Sequence, residues 1–242
     1  MKENSKDKIL IIIPAYNEEK NILNTYKTII EYNKTNKTKY DVIVINDGSS
    51  DKTKEVLEKN DIPHINLITN LGIGGAVQTG YRYAYYNGYD VAVQFDGDGQ
   101  HDIRYVKDIV DPIINSECNM CIGSRFLNRK TSEFRSSIAR RIGIKIISIF
   151  IKIKTGKKIG DTTSGFRAID KKIIKKFAFI YPLEYPEPIS TTMLLQEKYI
   201  VKEVPANMME RTNGRSSIRA WKSAYYMINV IMTILLMKKG DR

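Results

Sequence analysis

The chain has 242 residues and 42% hydrophobic side chains, enough for one large α/β domain with a substantial core. Its net charge of +12 is uneven: residues 1–121 carry 14 Lys+Arg against 18 Asp+Glu, and residues 122–242 carry 25 against 9. That asymmetry points the C-terminal half at a polyanion, whether nucleic acid, an anionic membrane surface or a phosphorylated substrate, and the charged N-terminus lacks the apolar stretch of a signal peptide.

Lys8 to Pro14 contains Ile-Leu-Ile-Ile-Ile, a continuous β-branched run that suits a strand covered on both faces of a parallel sheet. Pro14 ends the ladder, Asn17 can cap, and a polar amphipathic helix is expected from Glu18 to Tyr32. A second strand, Tyr40–Ile45, enters Asn46-Asp-Gly-Ser-Ser-Asp51, and a helix follows over residues 52–59. A weaker strand, Ile65–Thr69, leads through Asn70-Leu-Gly-Ile-Gly-Gly75 to a helix over Ala76–Asn87. The glycines do not form a dinucleotide fingerprint, because Val77 replaces the last small residue, and Gly-Lys-Ser/Thr of a Walker loop is absent. The alternation predicts a mostly parallel sheet with right-handed crossovers, whose ligands bind beyond the carboxyl ends of the strands.

Val91, Val93 and Phe95 form a fourth strand that runs into Asp96-Gly-Asp98-Gly-Gln100-His101. Two carboxylates two residues apart point the same way in extended chain, and the glycines allow a sharp turn beside a ligand. By themselves these residues fit both a hard-cation site and a polar turn. Cys118 and Cys121 form one C-x-x-C with neither a second pair nor a nearby histidine, so they are expected as reduced strand or core residues.

Ser136 to Lys158 interleaves Ile138, Ile142, Ile146, Ile149 and Ile153 with Arg140, Arg141, Lys145, Lys152 and Lys154, a basic amphipathic helix for a membrane surface or for internal packing. Asp161-Thr-Thr-Ser-Gly-Phe-Arg167 is too polar and turn-rich for a core strand. Pro186 and Pro188 hold Glu187 on a stiff turn, where it can orient an acceptor or serve as a base toward a hydroxyl. Val201–Val204 reads as a short strand. The tail from Ile218 to Lys239 has a 13-residue apolar run, Tyr225–Met237, too short to span a bilayer and flanked by Arg219, Lys222, Lys238 and Lys239. It is expected in the headgroup region, or docked on the core or on another subunit.

Pro14-Ala-Tyr-Asn-Glu-Glu, Asn46-Asp-Gly-Ser-Ser-Asp, Asp96-Gly-Asp-Gly-Gln-His, Gly123-Ser-Arg-Phe and Asp161-Thr-Thr-Ser-Gly-Phe-Arg, in that order, resemble family 2 glycosyltransferases. Similarity is greatest to the branch that makes dolichol- or polyprenyl-phosphate sugars. The resemblance implies a GT-A fold over residues 1–218, a nucleotide-diphosphate sugar donor, with UDP favoured, Mg²⁺ or Mn²⁺, and inversion at the anomeric carbon; the tail over 219–242 is expected to form the C-terminal amphipathic helix. It further implies that Pro14, Tyr16 and Glu18 line the nucleoside pocket, that Asp47 accepts from the base with Ile45 beside it, and that Asp96 and Asp98 hold the metal with Gln100 nearby. Arg125, Arg211 and Arg215 would contact the diphosphate or sugar, with Arg215 standing in for a lysine whose place Ser217 takes, in a segment that closes over the donor. Asp161, Ser164 and Arg167 would lie at the acceptor phosphate.

The expected activity is transfer of one sugar to polyprenyl phosphate by a peripheral protein at the cytoplasmic face of the cell membrane. A Gln-x-x-Arg-Trp motif of processive members is lacking, and so is a nucleic-acid recognition motif. A hydroxyl on a lipid-linked saccharide is the second acceptor considered, a non-catalytic nucleotide-binding membrane protein the third function. A homo-oligomer or an integral-membrane partner fits either enzyme.

Overall fold

A computed structural model describes residues 7–127, 138–208 and 220–238. Strands β1 (Ile9–Ala15), β2 (Tyr40–Asn46), β3 (His64–Asn66), β4 (Val91–Gln94), β5 (Met120–Ser124), β6 (Arg167–Asp170) and β7 (Val201–Pro205) form one sheet in the order β3-β2-β1-β4-β6-β5-β7. The strands pair in parallel except at β6, which runs antiparallel to both β4 and β5. Around the sheet lie α1 (Ile22–Asn36), α2 (Thr53–Lys59), α3 (Gly72–Tyr86), α4 (Val106–Ile114), α5 (Ile138–Thr155), α6 (Lys171–Phe179), α7 (Pro186–Gln196) and α8 (Ala220–Leu236). This is the mostly parallel, helix-flanked α/β sheet expected of a GT-A fold.

The unbroken apolar run of β1 is explained by two cores. Ile9, Ile11 and Ile13 face one layer with Ile22 and Ile29 of α1 and Val106 and Ile109 of α4. Leu10 and Ile12 face the other with Ala76 and Val77 of α3, Ile173 and Phe177 of α6, Ile147 and Ile151 of α5 and Val230 and Ile234 of α8. Successive side chains leave a strand on opposite faces, so a central strand needs apolar residues at every position. Cys118 and Cys121 are buried thiols, as expected.

Several boundaries differ from the sequence expectation. Helix α1 begins at Ile22 rather than Glu18, because residues 17–19 are bound to the β2–α2 loop: Asn17 has φ 57°, its Oδ1 accepts from Ser50 N–H at 2.8 Å, and Glu18 N–H donates to Thr53 Oγ1 at 2.8 Å. Helix α3 starts at Gly72, so the glycines form its first turn instead of preceding it. They allow close packing: a Cβ on Gly74 would lie 2.3 Å from Leu183 O, and one on Gly80 2.2 Å from Ile12 Cγ2. Arg167 is not in a loop but opens β6, and Glu187 is not on a turn but in the first turn of α7, where Pro186 lacks only an N–H that would go unused.

Helices α5 and α8 pack together. A Cβ on Gly143 would meet Met227 Sδ at 2.5 Å, and Lys154 Nζ donates to Leu235 O at 2.8 Å. Each also keeps apolar residues on its outer side: Ile142, Ile149 and Ile153 on α5, and Tyr225, Ile228, Met232, Leu235 and Leu236 on α8. Among the described residues no helix is long and apolar enough to cross a membrane.

Candidate active site

The carboxyl ends of β1, β2 and β4 share one edge, since register pairs Ala15 with Asn46 and Ile12 with Gln94. Asp47 follows directly, buried, with its N–H on Ala15 O at 2.8 Å and its Oδ1 accepting from Leu71 N–H at 2.7 Å. Its carboxylate therefore sits at the N-terminus of α3, where exposed N–H groups favour negative charge. Burial raises its pKa from the ordinary value, and the N–H groups of Leu71 and Gly72 oppose the rise. Tyr16 is about half exposed beyond β1, and Glu18 Oε2 accepts from Asn21 Nδ2 at 2.7 Å. Ile45 requires a correction: it is fully buried against the α3 layer and supports this pocket from below without lining it.

Asp96 and Asp98 flank Gly97, which nests against β1: a Cβ there would lie 3.2 Å from Pro14 O. Asp98 is buried, its Oδ1 accepting from Gln100 N–H at 3.0 Å, whereas the Asp96 side chain is 35% exposed. Among the described residues no group of three or more His, Cys, Asp or Glu gathers as a complete metal cage. Two adjacent carboxylates with one partly open fit Mg²⁺ or Mn²⁺ in another way, as an ion that takes one or two protein carboxylates and completes its shell with phosphate oxygens and water.

Across β6, Arg125 and Asp161 form a buried pair: Asp161 Oδ2 accepts from Arg125 N–H at 3.0 Å and Nε at 2.7 Å, and Oδ1 from Nη2 at 2.6 Å. Burial disfavours the guanidinium charge, but the Asp161 contacts outweigh it and hold the Arg125 pKa above its ordinary value. Glu203 of β7 fixes the loop behind this pair, accepting from Gly160 N–H at 2.7 Å and Asp161 N–H at 2.8 Å. The three residues expected at the acceptor phosphate are turned inward. Asp161 is taken by Arg125, Ser164 Oγ donates to Gly123 O at 2.7 Å, and Arg167 donates to Ser164 O at 2.6 Å and Ser190 Oγ at 3.1 Å, all with no exposed surface. Their polar groups, the accepting carboxylate of Asp161 and the donors of Ser164 and Arg167, are spent inside the protein, so they brace the site instead of touching a ligand. Glu187 lies beside this network; burial raises its carboxyl pKa, Arg167 pulls it down, and Asp96 adds to the rise. Arg211 and Arg215 lie outside the described residues.

Sequence reasoning assigned no role to His101, Gln94, Gly165 or Glu203. His101 Nδ1 accepts from Asp96 N–H at 2.9 Å, and a Cβ on Gly165 would lie 2.9 Å from Gln94 Nε2 and 3.1 Å from Asp96 Oδ1. His101 and Gly165 carried a signal, through their places in the Asp96 and Asp161 motifs.

The description "Glycosyl transferase family 2" matches residues 10–177, more than half of the chain. The chain belongs to glycosyl transferase family 2. It is 31% identical over 217 residues to the UDP-N-acetylglucosamine–dolichyl-phosphate N-acetylglucosaminyltransferase of Methanococcus voltae, covering 81% of this chain and 84% of that one. It is 26% identical to the undecaprenyl-phosphate mannosyltransferase of Micrococcus luteus, covering 92% of each. Among solved structures, the family 2 chain overlays glucosyl-3-phosphoglycerate synthase from Mycobacterium tuberculosis, in complex with Mn²⁺, uridine diphosphate and phosphoglyceric acid. That overlay has a TM-score of 0.68 at 16% identity over 96% of this chain and 78% of the other, a likeness of fold. Both of these relatives are named for transfer to lipid phosphates.

Proposed function

We propose that this chain moves one sugar from a nucleotide-diphosphate sugar, with a UDP-sugar favoured, to a polyprenyl phosphate, by single displacement with inversion. The observation that carries this reading is the meeting of Asp47, Asp96 and Asp98 around the end of β1. Tyr16 offers its ring face to the base, Glu18 accepts from the ribose, and Asp47 accepts from the base with its carboxylate already anchored at α3. Asp96 and Asp98 hold a divalent cation, which supplies Lewis-acid stabilisation of the charge that grows on the departing diphosphate. Arg125, paired with Asp161, stiffens the wall of the site beside that point. A phosphate acceptor is already ionised, so the reaction needs no strong general base.

The test is transfer from radiolabelled nucleotide sugars to undecaprenyl phosphate with Mn²⁺ or Mg²⁺, wild type against Asp98→Ala. Label in the lipid phase only with wild type and metal is the expected result; equal labelling by Asp98→Ala would defeat the assignment. A second reading, transfer to a hydroxyl of a lipid-linked saccharide, is favoured by one observation, the raised carboxyl pKa of Glu187 near Asp96, which suits a group that exchanges protons. Under it, Glu187→Gln abolishes transfer; under the phosphate reading, the variant keeps most of it.

The protein works at the cytoplasmic face of the membrane, held there by α5 and α8. Both helices are apolar on two opposite sides, one packed on the core and one bare, and Arg141, Lys145 and Lys152 flank the bare stripe of α5. Apolar stripes beside cations suit an anionic bilayer surface. Wild type is expected to float with anionic vesicles, less with zwitterionic ones, and Ile149→Asp with Ile228→Asp to remain in the aqueous fraction. Flotation of that double variant with anionic vesicles equal to wild type would remove these helices from the docking surface.

A further inference from the structure

His101 is buried, and its ring is fixed by two aromatic neighbours, Phe95 with centroids 5.2 Å apart and an 84° interplanar angle, and Phe166 at 4.8 Å and 37°. Its Nδ1 accepts from Asp96 N–H at 2.9 Å. A nitrogen that accepts carries no proton, so the ring proton of the neutral imidazole lies on Nε2. That Nε2 sits 3.3 Å from Asp96 Oδ2, too bent for a good hydrogen bond, and has no other hydrogen-bond partner. A buried donor in that position gains from any small rotation that brings the carboxylate oxygen into line.

Gly165 closes the other side of the carboxylate, since a Cβ there would lie 3.1 and 3.4 Å from the two Asp96 oxygens. We propose that His101 is the positioning residue for Asp96: it grips the backbone N–H through Nδ1 and claims Oδ2 through Nε2–H, so that the remaining carboxylate oxygen is presented to the cation. Outer-shell partners of this kind orient a ligating carboxylate and sharpen its metal affinity. His101 also bridges Met208 in antiparallel fashion.

The proposal rests on the reading that Asp96 holds a divalent cation. Mn²⁺ binding by the full chain, with UDP present, is followed by electron paramagnetic resonance for wild type, His101→Asn, His101→Gln and Gly165→Ala. Asn keeps an acceptor where Nδ1 stands and loses the donor toward the carboxylate, and its Mn²⁺ affinity is expected to fall about tenfold or more. Gln returns a donor near the place of Nε2 and should recover most of the loss. Gly165→Ala, which narrows the slot from the opposite side without touching the histidine, should also weaken Mn²⁺ binding. Mn²⁺ affinity of His101→Asn within about twofold of wild type would overturn the proposal. Equal weakening in Asn and Gln together with a lowered Tm would overturn it too, showing a packing role only. Wild type that fails to bind Mn²⁺ would instead remove the cation reading beneath it.

Discussion

Asp161→Asn isolates the buried pair with Arg125 while keeping the shape of the side chain. Asp161 has no exposed surface, Arg125 is nearly as buried, and three hydrogen bonds of 2.6–3.0 Å join them. Asparagine offers one accepting oxygen in place of two and leaves the guanidinium charge uncompensated. Removing one partner of a buried ion pair costs about 3–5 kcal/mol. Unfolding entropy of about 2.1 cal/mol/K per residue gives roughly 0.5 kcal/mol/K for this chain, so Tm should drop by about 6–10 °C. The assay is thermal and urea unfolding of wild type, Asp161→Asn, Arg125→Met and the double variant. Because the cost of either single change is mostly an orphaned charge, the double variant should be destabilised by much less than the sum. A loss below about 1 kcal/mol in Asp161→Asn, or additive losses in the cycle, would refute the argument that this pair stiffens the site.

Glu187 gives a pH signature. Its folded pKa is raised above the ordinary 4.5, so over the interval between the two values the folded state holds more protons than the unfolded chain. The group's contribution is then full below the unfolded pKa and is lost as pH rises through the folded value. Glu187→Gln should therefore gain stability relative to wild type as pH increases from about 4 to 8 in urea titrations; a difference independent of pH would show the carboxyl to be unperturbed. Glu203→Ala leaves the Gly160 and Asp161 N–H groups without their carboxylate and should cost about 1–3 kcal/mol in urea unfolding, with a raised KM for donor or acceptor. An unchanged KM would confine Glu203 to holding the fold.

The central strands and the aspartates at their ends were legible because both signals are local: β1 reads as a double-sided core strand, and Asp47, Asp96 and Asp98 follow their strands directly. What escaped depends on contacts distant in sequence. Arg167 looked like a ligand-binding cation because nothing local reveals that Glu187 O and Ser190 Oγ, 20 and 23 residues on, take donors of its guanidinium, and Asp161 looked like acceptor chemistry because its partner lies 36 residues away. The start of α1 moved by four residues because Asn17, the expected cap, spends its Oδ1 on Ser50 N–H, and Glu18 N–H turns to Thr53 Oγ1.

Strand β6 has a consequence for the order in which the molecule can assemble. β1 through β4 pair among themselves, but β4 and β5 do not touch as neighbours; the strand between them is made of residues 167–170. A growing chain can thus build the parallel half that bears Asp47, Asp96 and Asp98 well before the half with Arg125 has anything to dock on. Long-range pairing of this kind is entropically costly and late. The two halves of the sheet are joined strand to strand only through β6, so the hydrogen-bonded frame that sets Arg125 beside the donor-side carboxylates is complete only once residues 167–170 have been made and paired.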